Sequence, residues 1–341
     1  MKLFENEKVK ILRSEEVNYN FDKETGFMAT WGKTLKDDPD YSPYGPFILD
    51  IEVTTICKGP NGKLCEFCYK SNTPNGKNMS FDTFKKIFDK LPKCLSQIAI
   101  GADSYATSNP ELFDMMKYAR DNGVIPNITV ADIDDETADK IVEVAGACAI
   151  SRYNDKDICY NSIKKLTDRG MKQVNMHFCI HKDSLDQAYE TLNDIKTDER
   201  LKGLNAIVFL SLKQKGRGVD FQGITQEEFS QLVEKCNEME ISYGFDSCGA
   251  HRFLNAVKDK ENYKQLELMA ETCESSIFSA YIDVNGIFFP CSFTEGCDGW
   301  EDGIDVLNSN DFLNDVWNNE RIKQFREKTI KCKGKCFLYK I

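Results

Sequence analysis

Residues 47–68 read FILDIEVTTICKGPNGKLCEFC, an apolar run followed by three cysteines on one loop. The run is rich in β-branched and aromatic side chains, which predicts a strand. Asp50 and Glu52 fall on one face of it, placed to order a cofactor or to pair internally. Cys57, Cys65 and Cys68 have no fourth cysteine or histidine nearby in sequence. A structural zinc site is closed by four ligands. Three thiolates are an incomplete cage, and a four-iron cube held by three cysteines leaves one iron open. The loop therefore points to chemistry rather than to stability.

Outward from this loop, β-like runs alternate with helical patterns. The runs are 47–54, 97–101, 125–131, 147–151, 173–180 and 206–212. Helical segments begin near Ser80, Asn109, Asp135, Asp155 and Asp183, and Asn109-Pro110 has the form of a helix start. Gly123 and Gly170 stand where helix-terminating glycines belong. Six strands with intervening helices imply parallel βαβ units, in a six-stranded open barrel or a doubly wound sheet. In either, function sits at the C-terminal strand ends, where the cysteine loop lies. Residues 1–45 read as short hairpins and a loop, punctuated by DKETG and DDPDYSPYGP. After Leu212 come a loop, a helix from Thr225, one more strand at 241–246 and helical structure over 251–269. FSAYIDVNGIFFPCSF (278–293) then predicts a hairpin about Asn285-Gly286. Two short helical stretches and KCKGKCFLYKI follow.

The chain has 341 residues, 44 basic and 55 acidic, a net charge of −11. That argues against nucleic acid as a partner. The N-terminal MKLFENEKVKILRSEE is charged throughout, and no 18-residue apolar stretch occurs, so neither a secretory signal nor a membrane span is expected. Fourteen cysteines in such a chain point to metal binding in the cytoplasm rather than to disulfides. Cys94, Cys148, Cys159, Cys179 and Cys236 sit singly in apolar or helical patterns and read as small buried hydrophobes.

The ending Cys65-Glu66-Phe67-Cys68 after a first strand resembles the radical S-adenosylmethionine superfamily. The usual spacing there is C-x3-C-x2-C. Here it is C-x7-C-x2-C, lengthened by the insert Gly59-Pro60-Asn61-Gly62. The resemblance covers roughly residues 47–215 and implies a partial (β/α)6 barrel, an α/β fold. It further implies a 4Fe–4S cluster on Cys57, Cys65 and Cys68 that binds S-adenosylmethionine and yields a 5′-deoxyadenosyl radical. Phe67 would lie near the adenine. Gly101-Ala102-Asp103 stands where the family carries Gly-Gly-Glu against the methionyl amine, so Gly101 and Asp103 are candidate contacts. Ser151 and Arg152 stand where it carries a polar pair near the carboxylate, which an Arg fork suits. An ordinary helix cap or ion pair is the other reading of Asp103, Ser151 and Arg152. Thr129-Val130-Ala131 departs from the family's Thr-Asn-Gly. On the fifth strand Asn175, His177, Cys179 and His181 share a polar face; His177 is a candidate cofactor contact or a structural histidine.

Cys273 and Cys291 bracket the hairpin as C-x12-G-x4-C, with Gly286 as the glycine. This resembles the opening of the SPASM and twitch auxiliary-cluster extensions. Cys332-x3-Cys336 would close a four-thiolate site, with Cys248 and Cys297 as alternative ligands. The resemblance thus implies one auxiliary 4Fe–4S cluster in a small α+β extension. The expected organisation is an N-terminal segment over 1–45, the barrel over 46–240 and the auxiliary domain over 241–341.

The implied enzyme abstracts a substrate hydrogen atom, with a peptide or protein as the favoured substrate and an electron donor such as flavodoxin or ferredoxin as partner. A dehydrogenase or epimerase of a small molecule is the alternative, since no N-terminal extension offers a leader-binding domain. A non-catalytic cysteine–zinc protein is the reading from another class. Lys213, Lys215 and Arg217, after the sixth strand, read as contacts to an acidic substrate or as a solvated loop.

Overall fold

The computed structural model describes residues 1–339. Strands β1 (Lys2–Glu5), β2 (Val9–Arg13), β3 (Asn18–Asp22) and β4 (Met28–Trp31) form an antiparallel meander. The N-terminal region is therefore a complete four-stranded sheet, more than the separate hairpins its turns announce. One face of it is apolar: Leu12, Tyr19 and Phe21 are buried against Phe47, Cys94, Ile125 and Phe278. The Tyr19 hydroxyl donates to the Cys94 carbonyl at 2.8 Å. Phe47 and Ile125 open strands of the main sheet, so the meander packs at its N-terminal end.

Seven parallel strands follow: β5 (Ile48–Glu52), β6 (Gln97–Gly101), β7 (Ile125–Val130), β8 (Cys148–Ser151), β9 (Val174–Ile180), β10 (Ala206–Ser211) and β11 (Tyr243–Phe245). Each pairs with the next in sequence order. Helices α1 (Phe81–Phe88), α2 (Leu112–Asp121), α3 (Asp135–Val144), α4 (Lys156–Asp168), α5 (Leu185–Thr197) and α6 (Gln226–Glu238) connect them. The result is the partial barrel, with no closure between its edges among the described residues. Strand alternation sorts the side chains. Leu49, Ile51, Ile98, Ile100, Ile128, Met176, Phe178, Ile207 and Phe209 are buried in one core with the helices; each such burial is worth about 1.5–3 kcal/mol. The opposite face, toward the lumen, carries Asp50, Asn127, Thr129, Asn175 and His177, which are only partly buried or exposed. Caps fix the helix starts: Ser80 Oγ accepts from Thr83 N at 3.2 Å, and Thr225 and Glu228 form a capping box. Helix α2 begins at Leu112, later than Asn109-Pro110 predicts. The Asn109 side-chain amide instead ties the Val53 and Met79 carbonyls together, at 2.8 and 2.9 Å.

Helices α7 (Ala250–Ala256) and α8 (Tyr263–Met269) lead to strands β12 (Ser279–Ile282), β13 (Ile287–Phe289) and β14 (Ile304–Asp305), then a wide helical turn at Phe312–Trp317 and α9 (Glu320–Lys331). The hairpin forms about Asn285-Gly286 as its turn residues predict. It is not separate from the barrel: β12 pairs parallel with β5, Tyr281 opposite Asp50, making one ten-stranded sheet. Trp317 is fully buried, its indole N–H donating to the Ser42 carbonyl at 2.8 Å. Among the described residues no helix is long and apolar enough to cross a membrane.

Candidate metal centres and cofactor cavity

The first cysteine loop leaves the C-terminal end of β5, at the mouth of the barrel. Cys57 N donates to Thr73 O at 2.9 Å, and Cys57 Sγ lies 3.6 Å from Ser104 Oγ. The insert folds into a single tight turn, Pro60–Gly62. Gly59 sits at φ 71°, where an added Cβ would meet Lys63 O at 1.9 Å, so only glycine fits. Gly62 N donates to the Tyr105 hydroxyl at 3.3 Å. All three thiols stand within electrostatic reach of the partly buried Tyr153 phenol, whose pKa is raised by desolvation and then by Cys65, Cys68 and Cys57. Burial also pushes the Cys65 thiol up to about 12.

Beside this loop opens a cavity of 410 Å³. The insert supplies Pro60 and Asn61; the cysteine loop supplies Lys63, Cys65 and Phe67; the ends of β8 and β9 supply Ser151, Tyr153, His181 and Ser184, and Phe221 completes the wall. Phe67 lies 5.2 Å from the His181 ring and 6.0 Å from both Tyr153 and Phe221. This aromatic box has a polar corner. His181 Nδ1 is buried without a hydrogen-bond partner among the described residues, and burial lowers the ring's pKa.

The other expected cofactor contacts are placed less uniformly. Gly101 opens onto the lumen beside Glu52, in register across β5 and β6. Asp103 is buried and spends its carboxylate on its own loop, accepting from Thr107 N at 3.0 Å and Ser108 N at 3.1 Å. Ser151 lines the cavity, but strand alternation turns Arg152 the other way, under α4, with its Cζ 5.8 Å from the Tyr160 ring. Arg152 Nε and Nη1 are buried without partners among the described residues. His177 is on the lumen face opposite Ser151 and Val208, not in the cavity wall, and burial lowers its pKa to about 4. His181, Tyr153 and Phe221 therefore take wall positions that sequence reading did not assign. Tyr153 was legible in principle, since it lies two residues beyond Ser151 and shares its side.

The second cysteine group gathers beside the hairpin. Cys248, in the loop after β11, stands within electrostatic reach of Cys273 and Cys336, and Cys291 within reach of Cys273. Cys273 N donates to Gly334 O at 3.0 Å. Cys297 Sγ lies 3.5 Å from the Tyr339 hydroxyl, which in turn feels Cys291 and Cys336. Cys332 does not join them: it caps α9 and is exposed. The chain reverses at Lys333 and Gly334, both at positive φ, which carries Cys336 back to Cys273 and leaves Cys332 on the helix end.

Among the described residues all fourteen cysteines are free thiols, and no three metal-binding side chains converge tightly enough for a single ion. A four-iron cube spreads its ligands more widely than one ion does. The all-thiol donor sets, three on one loop beside a cavity and four or five around the hairpin, fit such clusters.

The family model for SPASM, an iron-sulfur cluster-binding domain, matches residues 273–337. No curated protein matches the chain. Among solved structures, BtrN in complex with AdoMet and 2-DOIA is 13% identical with a TM-score of 0.44, covering 85% of this chain and 88% of its own. HydG, a maturase of the [FeFe]-hydrogenase, is 15% identical with a TM-score of 0.43 over 61% of this chain and 57% of its own. An HpcH/HpaI aldolase from Desulfitobacterium hafniense DCB-2 is 10% identical, with a TM-score of 0.33 over 59% and 77%. Likenesses at these scores say nothing of activity. The match gives the chain an iron-sulfur cluster-binding domain over residues 273–337, built onto a partial barrel with three cysteines at its mouth.

Proposed function

We propose that Cys57, Cys65 and Cys68 hold the cofactor-binding cluster and that Cys248, Cys273, Cys291 and Cys336 hold the auxiliary one. S-adenosylmethionine would occupy the 410 Å³ cavity, its adenine in the box of Phe67, Tyr153, His181 and Phe221. The observation that carries this reading is the meeting of Cys65 and Phe67 with the ends of β8 and β9 around one cavity. Bound there, the cofactor would supply radical hydrogen-abstraction chemistry, one electron cleaving its sulfonium to methionine and a 5′-deoxyadenosyl group. The chain's part is to orient the nucleoside by its aromatic walls and to keep both partners apart from water.

The substrate reaches the cavity's inner side through the lumen. We favour a segment of a peptide or protein, because SPASM extensions accompany peptide modification in the family this chain resembles. A small polar molecule is the second reading, favoured by the polar lumen face of Asp50, Thr129, Asn175 and His177. An electron donor such as flavodoxin or ferredoxin, and a cytoplasmic setting that keeps the thiols reduced, belong to the same proposal.

The test is cofactor cleavage by the anaerobically reconstituted chain under dithionite, beside Cys65→Ala/Cys68→Ala. Cleavage should vanish in the variant; persistence would remove the first-centre assignment. Stimulation by a peptide fraction, against a small-metabolite fraction, separates the two substrate readings.

A further inference from the structure

The loop after β10 reads Lys213-Gln214-Lys215-Gly216-Arg217-Gly218, with a cation at every second position. None of the three faces an acidic substrate. Each is turned inward, into a different cysteine-bearing segment. Lys213 is 4% exposed; its Nζ donates to Asp246, two residues before Cys248, at 2.7 Å and lies 4.7 Å from the Phe293 ring centroid. Lys215 Nζ donates to the carbonyls of Phe293, at 3.1 Å, and Glu295, between Cys291 and Cys297.

Arg217 grips the first centre's own loop. Its Nε donates to Cys65 O at 2.9 Å and its Nη1 to Asn72 O at 3.0 Å. Its backbone N–H donates to Cys68 O at 3.0 Å. Gly216 makes this approach possible: at φ 57°, a Cβ there would lie 2.4 Å from Tyr69 O and 2.8 Å from Cys68 O. A hydrogen bond to a cysteine's carbonyl fixes the peptide plane beside it, and so the direction of its Cα–Cβ bond. Two of the three first-centre cysteines are held this way by one residue.

We infer that Arg217 is the positioning residue of the first metal centre, anchored by a loop whose preceding cations are pinned among the auxiliary cysteines. This rests on the reading that Cys57, Cys65 and Cys68 bind the first cluster. The full chain, reconstituted with iron and sulfide, is compared as wild type, Arg217→Ala and Arg217→Lys. Iron loss to a chelator and the electron paramagnetic resonance signal of the reduced protein, with and without S-adenosylmethionine, are followed. The first-centre signal is the part that Cys65→Ala/Cys68→Ala removes. Arg217→Ala should release first-centre iron about 10- to 100-fold more readily and lose the cofactor-induced change in that signal, with the auxiliary signal intact. Arg217→Lys, with a point charge but no fork, should fall between. First-centre iron retention and signal in Arg217→Ala equal to wild type would overturn the inference. A wild-type chain with no signal assignable to Cys65 and Cys68 would instead overturn the reading beneath it. If Arg217→Ala does not fold by circular dichroism, Arg217→Lys decides alone: a wild-type result from it overturns the inference.

Discussion

The rings of Tyr69 and Phe293 meet with centroids 4.5 Å apart, at an angle of 49°. Tyr69 directly follows Cys68, and Phe293 lies two residues past Cys291, so the two cysteine loops touch through this pair. Lys70 reinforces the junction, reaching Glu52 at 3.2 Å, the Tyr281 hydroxyl at 2.8 Å and Glu295. The two cysteine loops are parts of one packed unit.

The ring pair should be coupled energetically. A double-mutant cycle of Tyr69→Ala and Phe293→Ala, read by chemical denaturation, should give a coupling of about 0.5–1.5 kcal/mol. Tyr69→Phe keeps the ring and should retain most of it.

The auxiliary cysteines can be sorted by iron content. Cys336→Ala should lose about four irons, one cluster, because Cys336 lies within electrostatic reach of Cys273 and Cys248. Cys332→Ala should keep them, because that thiol is exposed on the end of α9. The opposite pattern would place the exposed cysteine in the site.

The insert depends on its first glycine. Gly59→Ala puts a Cβ 1.9 Å from Lys63 O and holds alanine at φ 71°. The left-handed conformation alone costs about 1–2 kcal/mol, and the backbone clash adds to it. The variant should bind S-adenosylmethionine more weakly, since Pro60, Asn61 and Lys63 wall the cavity, while the auxiliary cluster remains. Equilibrium binding to the reconstituted chain measures the difference.

Asp50 and His177 should give stability opposite slopes with pH. Asp50 opens onto the lumen but is ringed by the sheet, and desolvation raises its pKa to about 6. The folded state then keeps a proton that the unfolded state loses above about pH 4, so Asp50's contribution falls as pH rises from about 4 to 6. Asp50→Asn should therefore be more stable than wild type at pH 7 and equal to it below pH 4, within about half a unit. His177 is lowered to about 4 by desolvation. There the unfolded state binds the extra proton, and stability falls as pH drops from about 6.5 to 4. His177→Gln should remove that acid loss. Denaturation midpoints across pH 4–8 test both.

Much of the barrel was legible because its strands are two-faced or fully apolar and its helices carry caps. The six runs predicted from 47 to 212 are β5 to β10, and Ile241–Asp246 holds β11. The pairing of β12 with β5 was not legible, because hairpin chemistry fixes the Asn285-Gly286 turn but not which sheet edge accepts the strand. The cavity wall was read in part. Phe67 and Ser151 were named from their places in motifs and line it; Arg152 was named beside Ser151, and period-2 alternation sends it to the helix layer. His181 and Phe221 come from segments far apart in sequence, and only tertiary packing brings them to Phe67. Spacing alone does not show that the chain reverses at Lys333 and Gly334, both at positive φ, which leaves Cys332 exposed on the end of α9 and Cys248 partly buried.

The most direct test of the account is anaerobic reconstitution with iron and sulfide, followed by an iron count and a dithionite-driven cleavage assay. Two clusters predict about eight irons per chain and production of 5′-deoxyadenosine from S-adenosylmethionine. A colourless protein that takes up zinc and leaves S-adenosylmethionine intact would contradict it.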